Sequence, residues 1–183
     1  MDTRKSLNDL NKRETEGFFF TDKGWLHNYL PFYNNLFAPY RDLEINIFEV
    51  GYLNGGSCQL WERYFSKAKI KSIDVNPCTP PPVSDRIILE LRDIRSVTAE
   101  YFADFIPDIA IDDGSHLLED QLYFVKIVYP VLRKGGLLIV EDIQNVKGHK
   151  FVFETLGIPF EIVDLRGEGG SYDDVILLYQ KQL

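Results

Sequence analysis

Two short acidic clusters, Asp112-Asp113-Gly114-Ser115-His116 and Glu141-Asp142, hold the densest set of groups able to bind a cation or move a proton. Carboxylates gathered in one place repel one another unless a cation sits among them, and oxygen donors of this kind suit a hard divalent ion. Asp113, Glu141 and Asp142 therefore read as metal ligands. His116, whose imidazole can accept and pass on a proton, reads with Asp113 as the catalytic pair. A purely local role competes with this reading, because Asp112 or Asp113 with Ser115 could simply cap a following helix. Glu141 and Asp142 precede Ile143-Gln144-Asn145, where no strong helix start calls for two acids.

These clusters need a scaffold that brings them together. Each follows a short apolar run, Ile109-Ala110-Ile111 or Leu137-Leu138-Ile139-Val140, of the kind that forms a strand buried on both faces. Between them, residues 117–132 place apolar side chains at helical spacing and stop at Lys134-Gly135-Gly136. A right-handed crossover makes the two strands parallel and puts both acidic ends on one sheet edge, where ligands of open α/β sheets bind.

The remaining segments supply the rest of that sheet. Strands are expected over residues 45–50, 69–74, 86–91, 107–111, 160–165 and 174–180, and helices over 28–36, 58–65, 97–105 and 150–156. Residues 1–16 read as a surface helix. The last two strands have no crossover helix between them and must pair antiparallel or lie apart. The fold class is thus α/β: one doubly wound domain over residues 1–183, with about seven mostly parallel strands and an antiparallel last strand. Residues 1–40 form a helical and aromatic cap and 45–183 the core. Phe18, Phe19, Phe20, Trp25, Tyr29, Phe32, Tyr33, Phe37 and Tyr40 are read as roofing the sheet, with Asp22, Lys23, His27 and Tyr29 better suited to ligand contact.

A cofactor loop follows the first strand. Glu49 precedes Gly51-Tyr52-Leu53-Asn54-Gly55-Gly56-Ser57, and glycines at a helix N-terminus let backbone approach a ligand. The glycines lack the dinucleotide spacing, which argues against a nicotinamide dehydrogenase. Asp74, at the end of the second strand, is placed to bond ribose hydroxyls of an adenosine cofactor.

The bulk composition narrows the partners. The chain has 183 residues, 45% hydrophobic, and a formal net charge of -8. That charge disfavours nucleic acid and anionic membrane, which need clustered Lys and Arg. Cys58 and Cys78 are too few for a disulfide framework or a zinc site. With no apolar leader and no run of 18 apolar residues, a cytoplasmic protein is expected.

The order Glu49-x-Gly51-x-x-x-Gly55, Asp74, Asp93, Asp113 and Glu141-Asp142, with a terminal strand pair, resembles the Rossmann-like fold of S-adenosylmethionine-dependent methyltransferases. More narrowly, Thr21-Asp22-Lys23-Gly24, Phe48-Glu49-Val50-Gly51, Ile111-Asp112-Asp113-Gly114-Ser115-His116 and Ile139-Val140-Glu141-Asp142-Ile143 resemble the macrocin and mycinamicin type of metal-dependent sugar O-methyltransferases, a pattern shared with cephalosporin hydroxylase-like proteins. The resemblance implies that Glu49, Gly51 and Ser57 border the methionine end of S-adenosylmethionine, Asp74 its ribose, and Asp93 with Ile94 its adenine, with Lys23 and Asp112 completing the cofactor contacts. It implies Mg²⁺, with Mn²⁺ also suited, on Asp113, Glu141 and Asp142, and His116 as general base. The chain departs from the pattern at Trp25, where a small residue is expected, and begins close to the fold without the N-terminal extension of the macrolide enzymes.

The expected activity is O-methylation of a vicinal-diol hydroxyl on a sugar or glycosylated natural product, compatible with a homo-oligomer. A catechol acceptor and a non-catalytic S-adenosylmethionine-binding module stay open as alternatives.

Overall fold

The computed structural model describes residues 4–11, 21–76, 82, 84–167 and 170–183. Phe18, Phe19, Phe20, Cys78 and half of the first 16 residues lie outside that set. Seven strands form one sheet: β1 (Asn46–Val50), β2 (Lys69–Asp74), β3 (Ile87–Leu91), β4 (Ile109–Asp112), β5 (Leu137–Val140), β6 (Glu161–Asp164) and β7 (Val175–Gln180). Their order is β3-β2-β1-β4-β5-β7-β6. The first five are parallel, and β7 runs antiparallel to both β5 and β6. Every residue of β4 and β5 is buried, because helices cover both faces, and this is why those strands are continuously apolar.

The register sets the functional edge. Val50 pairs with Asp112, and Asp112 with Val140, so β1, β4 and β5 end level. Backbone bonds continue one residue further: the Gly51 N–H donates to the Ile73 carbonyl, the Asp113 N–H to Val50 and the Glu141 N–H to Asp112. Gly51 has φ +94°, and a Cβ there would lie 1.9 Å from the Asp113 carbonyl oxygen. Only glycine allows this close crossing of two strand ends.

The helices are α1 (Leu7–Leu10), α2 (Leu30–Phe37), α3 (Gly56–Tyr64), α4 (Leu118–Val131) and α5 (Val146–Glu154). The aromatic segment roofs the sheet: Tyr33 and Phe37 are buried, and Phe37 meets Trp61 edge-on with ring centroids 5.5 Å apart. On the opposite face Phe48 packs against Phe102 and Phe124.

Two helices differ from expectation. Residues 97–105 form no α-helix: a 3₁₀ turn at Ile94–Ser96 precedes them and a second one covers Ala99–Phe102. The Asp93 side chain caps the first turn by accepting the Arg95 N–H, and Val97 then returns to extended backbone. What remains is too short to nucleate a helix, so burial of Ile94, Val97, Phe102 and Phe105 decides its path. Helix α5 starts at Val146, earlier than expected, because the Asn145 side chain accepts the Gly148 N–H. Among the described residues no helix is long and apolar enough to cross a membrane.

Candidate active site

A cleft of about 880 Å³ opens at the carboxyl ends of β1, β2 and β4. Strand order reverses between β1 and β4, the point where open α/β sheets bind ligands. Gly51, Ser57, Asp74, Asp93, Ile94, Asp112, Asp113 and His116 all line it, so most of the residues singled out by sequence share one space. Asp74 shapes the glycine loop by accepting the Tyr52 and Leu53 N–H groups at 2.8 and 3.1 Å. Helix α3 begins at the cleft after Gly55, at φ +77°, and Asn54 Oδ1 accepts the N–H of its first residue, Gly56, at 3.0 Å. Asp112 accepts the Gly114 N–H through Oδ1, while its buried Oδ2 has no protein partner. Burial pushes the Asp112 carboxyl up to about 7.

The acids do not cap helices. Helix α4 starts after Leu117 with no side-chain cap, and α5 uses Asn145. Asp113, His116 and Asp142 instead come together, one ligating atom of each lying within 4.8 Å of the others. His116 and Asp142 both take left-handed backbone, with φ 56°. For non-glycine residues this costs on the order of 1–3 kcal/mol, and such strain gathers at functional sites. The turn places His116 Nδ1 3.3 Å from Asp142 Oδ2 while leaving the imidazole about one-third exposed.

Two expected cofactor contacts and one expected metal ligand lie elsewhere. Lys23 and Glu49 are buried beneath the cleft and do not line it. The Lys23 ammonium stands 2.5 Å from Asp113 Oδ2, touches Glu141 Oε2, and is 3.9 Å from Glu49 Oε1. Burial alone would lower its pKa, but Asp113, Glu141 and Glu49 hold it well above the ordinary lysine value. The cation demanded by this acidic edge is thus partly a lysine. Glu141 has both oxygens engaged, one by Lys23 and the other by the Tyr33 hydroxyl at 2.6 Å, and falls outside the Asp113–His116–Asp142 group.

The sequence marks out Tyr29 and His27 for ligand contact, but not the bracing roles that they, Tyr33 and Gln121 take. The Tyr29 hydroxyl donates to Asp142 Oδ1 at 2.6 Å and accepts the Asp142 N–H, so Tyr29 is a buried brace and not a ligand contact. Tyr29 and Tyr33 are four residues apart, a spacing that aims both hydroxyls at the strand ends. His27 Nδ1 lies 2.6 Å from Asp174 Oδ1 and its ring stacks on Tyr29. The Gln121 amide donates to the Glu141 carbonyl.

Glu49 gives a pH signature. Burial, opposed by Lys23, raises its carboxyl from 4.5 to about 7. A folded pKa above the unfolded one means stability that is complete below about 4.5 and lost as pH rises through about 7. In EDTA, the urea midpoint should fall between pH 5 and 8, and Glu49→Gln should flatten that fall by up to roughly 3 kcal/mol. An unchanged pH slope in the variant would show that Glu49 does not titrate in this range.

The architecture, with its cleft at the switch point of a seven-strand sheet ending in an antiparallel pair, is that of the class I S-adenosylmethionine-dependent methyltransferases. Within that class the chain is a homologue of the sugar O-methyltransferases that include demethylmacrocin O-methyltransferase and mycinamicin VI 2''-O-methyltransferase. It is 31% identical over 140 residues to 8-demethyl-8-alpha-L-rhamnosyl tetracenomycin-C 2'-O-methyltransferase of Streptomyces olivaceus, covering 68% of this chain and 35% of that protein. To demethylmacrocin O-methyltransferase of Streptomyces fradiae it is 30% identical over 151 residues, covering 76% and 37%. The chain therefore spans a little over one third of the length of these curated relatives. Among solved structures, the mycinamycin-pathway methyltransferase MycE in complex with Mg and SAH matches with a TM-score of 0.75 and 22% identity, over 98% of this chain and 55% of that one. No family model matches the chain.

Proposed function

We propose that this chain is a single methyltransferase domain that catalyses S-adenosylmethionine- and divalent-metal-dependent O-methylation of a vicinal-diol hydroxyl on a sugar or glycosylated natural product. The observation that carries the reading is that Asp113 and His116, grouped with the buried Asp142, line the same cleft as the glycine loop and the start of α3. The solved relative MycE was captured with Mg, SAH and mycinamycin VI, and the curated relatives are named as O-methyltransferases, one of them of a rhamnosyl tetracenomycin.

The residues fit both groups. The Asp113 and Asp142 carboxylates form an oxygen donor set suited to Mg²⁺ or Mn²⁺, with the His116 imidazole beside them and Glu141 supporting Asp113 through Lys23. The unpartnered Oδ2 of Asp112 would accept from a donor on the cofactor, whose amino-acid end would lie near Gly51 and Ser57, its ribose near Asp74 and its adenine near Asp93 and Ile94. Bound here, S-adenosylmethionine would supply an electrophilic methyl group, and the metal would chelate neighbouring hydroxyls and lower the pKa of the attacked one. Asp142, 3.3 Å from His116 Nδ1, favours a proton on that nitrogen and leaves Nε2 free to act as base. Nε2 of His116 would take the acceptor hydroxyl proton, the one proton that methyl transfer from a sulfonium to a hydroxyl oxygen releases. Alignment of the reacting oxygen by Asp113 and Asp142 contributes the orientation part of the rate.

Calorimetry of S-adenosylhomocysteine with Mg²⁺ and with EDTA, followed by labelled methyl transfer to phenyl glycosides and catechols, tests this. Micromolar binding in both conditions and turnover of glycosides with Mg²⁺ alone are expected. No binding in either condition would sink the methyltransferase reading. Binding without turnover of any diol would favour the non-catalytic module, and preference for catechols would redirect the acceptor class.

A further inference from the structure

Trp25 stands out among the residues that the mechanism leaves unused. It is 66% exposed and lines the cleft that holds Asp113 and His116. The turn that carries it is pinned from every side. Thr21 caps the 3₁₀ turn Asp22–Gly24, and Asn11 bonds both the N–H and the carbonyl of Thr21 at 3.0 Å. The N–H groups of Trp25, Leu26 and His27 converge on the Asp22 carbonyl at 2.9–3.1 Å. Lys23 anchors the turn below, in the carboxylate nest. Gly24 allows no side chain, since a Cβ would come within 2.5 Å of Leu30 Cδ1. A large exposed indole thus projects from a backbone fixed at the cleft mouth. Leu117, 54% exposed and next in sequence to His116, faces the same cleft.

We propose that Trp25 is the acceptor platform: the apolar face of a ring-shaped acceptor stacks on its indole while the diol on that ring reaches Asp113, Asp142 and His116. A pyranose presents such a C–H face opposite its hydroxyl edge, and a flat aromatic side chain offers a large apolar contact at low entropic cost. Ordering by a rigid platform would select acceptors by ring shape, while the acidic group selects for adjacent hydroxyls. The inference rests on the methyltransferase reading above.

The chain contains two tryptophans, and Trp61 is fully buried, so acrylamide quenching reports on Trp25. Phenyl glycosides with vicinal diols are titrated into the protein loaded with S-adenosylhomocysteine and Mg²⁺. At least one should reduce quenching. Trp25→Ala should raise the glycoside KM by about tenfold or more, equivalent to about 1.4 kcal/mol, with S-adenosylhomocysteine affinity preserved, and Trp25→Phe should restore most of the loss. Quenching unchanged by every glycoside, or an unaltered KM in Trp25→Ala, overturns the platform. Failure of the wild-type protein to bind S-adenosylhomocysteine instead overturns the reading beneath it, so the two failures are distinguishable.

Discussion

His116→Ala should lower single-turnover methyl transfer by about 10²–10⁴-fold, the usual worth of a positioned general base. Cofactor and metal binding should survive. The imidazole is one-third exposed, projects from a left-handed turn and touches Asp142 through Nδ1, so its removal deletes a reactive group without opening a core cavity. The same substitution separates two roles for the ring. As a base, His116 contributes to kcat, and Mn²⁺ affinity measured by calorimetry stays close to wild type. As a third metal ligand, its loss weakens Mn²⁺ binding by an order of magnitude or more, and turnover returns in part at high metal concentration. Equal activity in the variant would remove His116 from the mechanism altogether.

Lys23→Met should cost about 3–5 kcal/mol of folding stability, because removing one partner from a buried ion group leaves the other charges uncompensated. Here three carboxylates, those of Asp113, Glu141 and Glu49, lose their shared cation, and Lys23 itself is 1% exposed. The penalty has a direction in pH. Without the ammonium the Glu141 and Glu49 carboxyls shift further upward, so stability is retained at low pH, where they are protonated, and lost as pH rises. Urea unfolding in EDTA at pH 5.5 and 8 should show the larger deficit at pH 8. Mg²⁺ should recover part of it through binding to the folded state. A variant as stable as wild type at pH 8 would show that the ammonium does not hold the strand ends together.

Much of the scaffold is legible from local pattern. Apolar runs, helical spacing and glycine punctuation mark all seven strands, most plainly β4 and β5, where burial on both sheet faces imposes its signature on consecutive residues. The left-handed positions were less visible: Gly51 and Gly55 announce themselves, whereas His116 and Asp142 adopt that backbone with side chains that rarely do. Residues 97–105 misled because their apolar spacing fits a helix, while the Asp93 cap and the following extended residue divert the chain.

What the amino-acid order determined by itself was the α/β class and the convergence of Asp112, Asp113, Glu141 and Asp142 on one edge, since parallel crossovers leave strand ends no other place to go. What only tertiary structure decided was how those charges are satisfied. Lys23 meets Glu141 across 118 residues of sequence, Tyr29 meets Asp142 across 113, and Tyr33 meets Glu141 across 108. Each pairing depends on where a separate segment lies over the sheet. Local periodicity carries no record of that, because partners in a buried charge network are chosen by distance and desolvation in three dimensions.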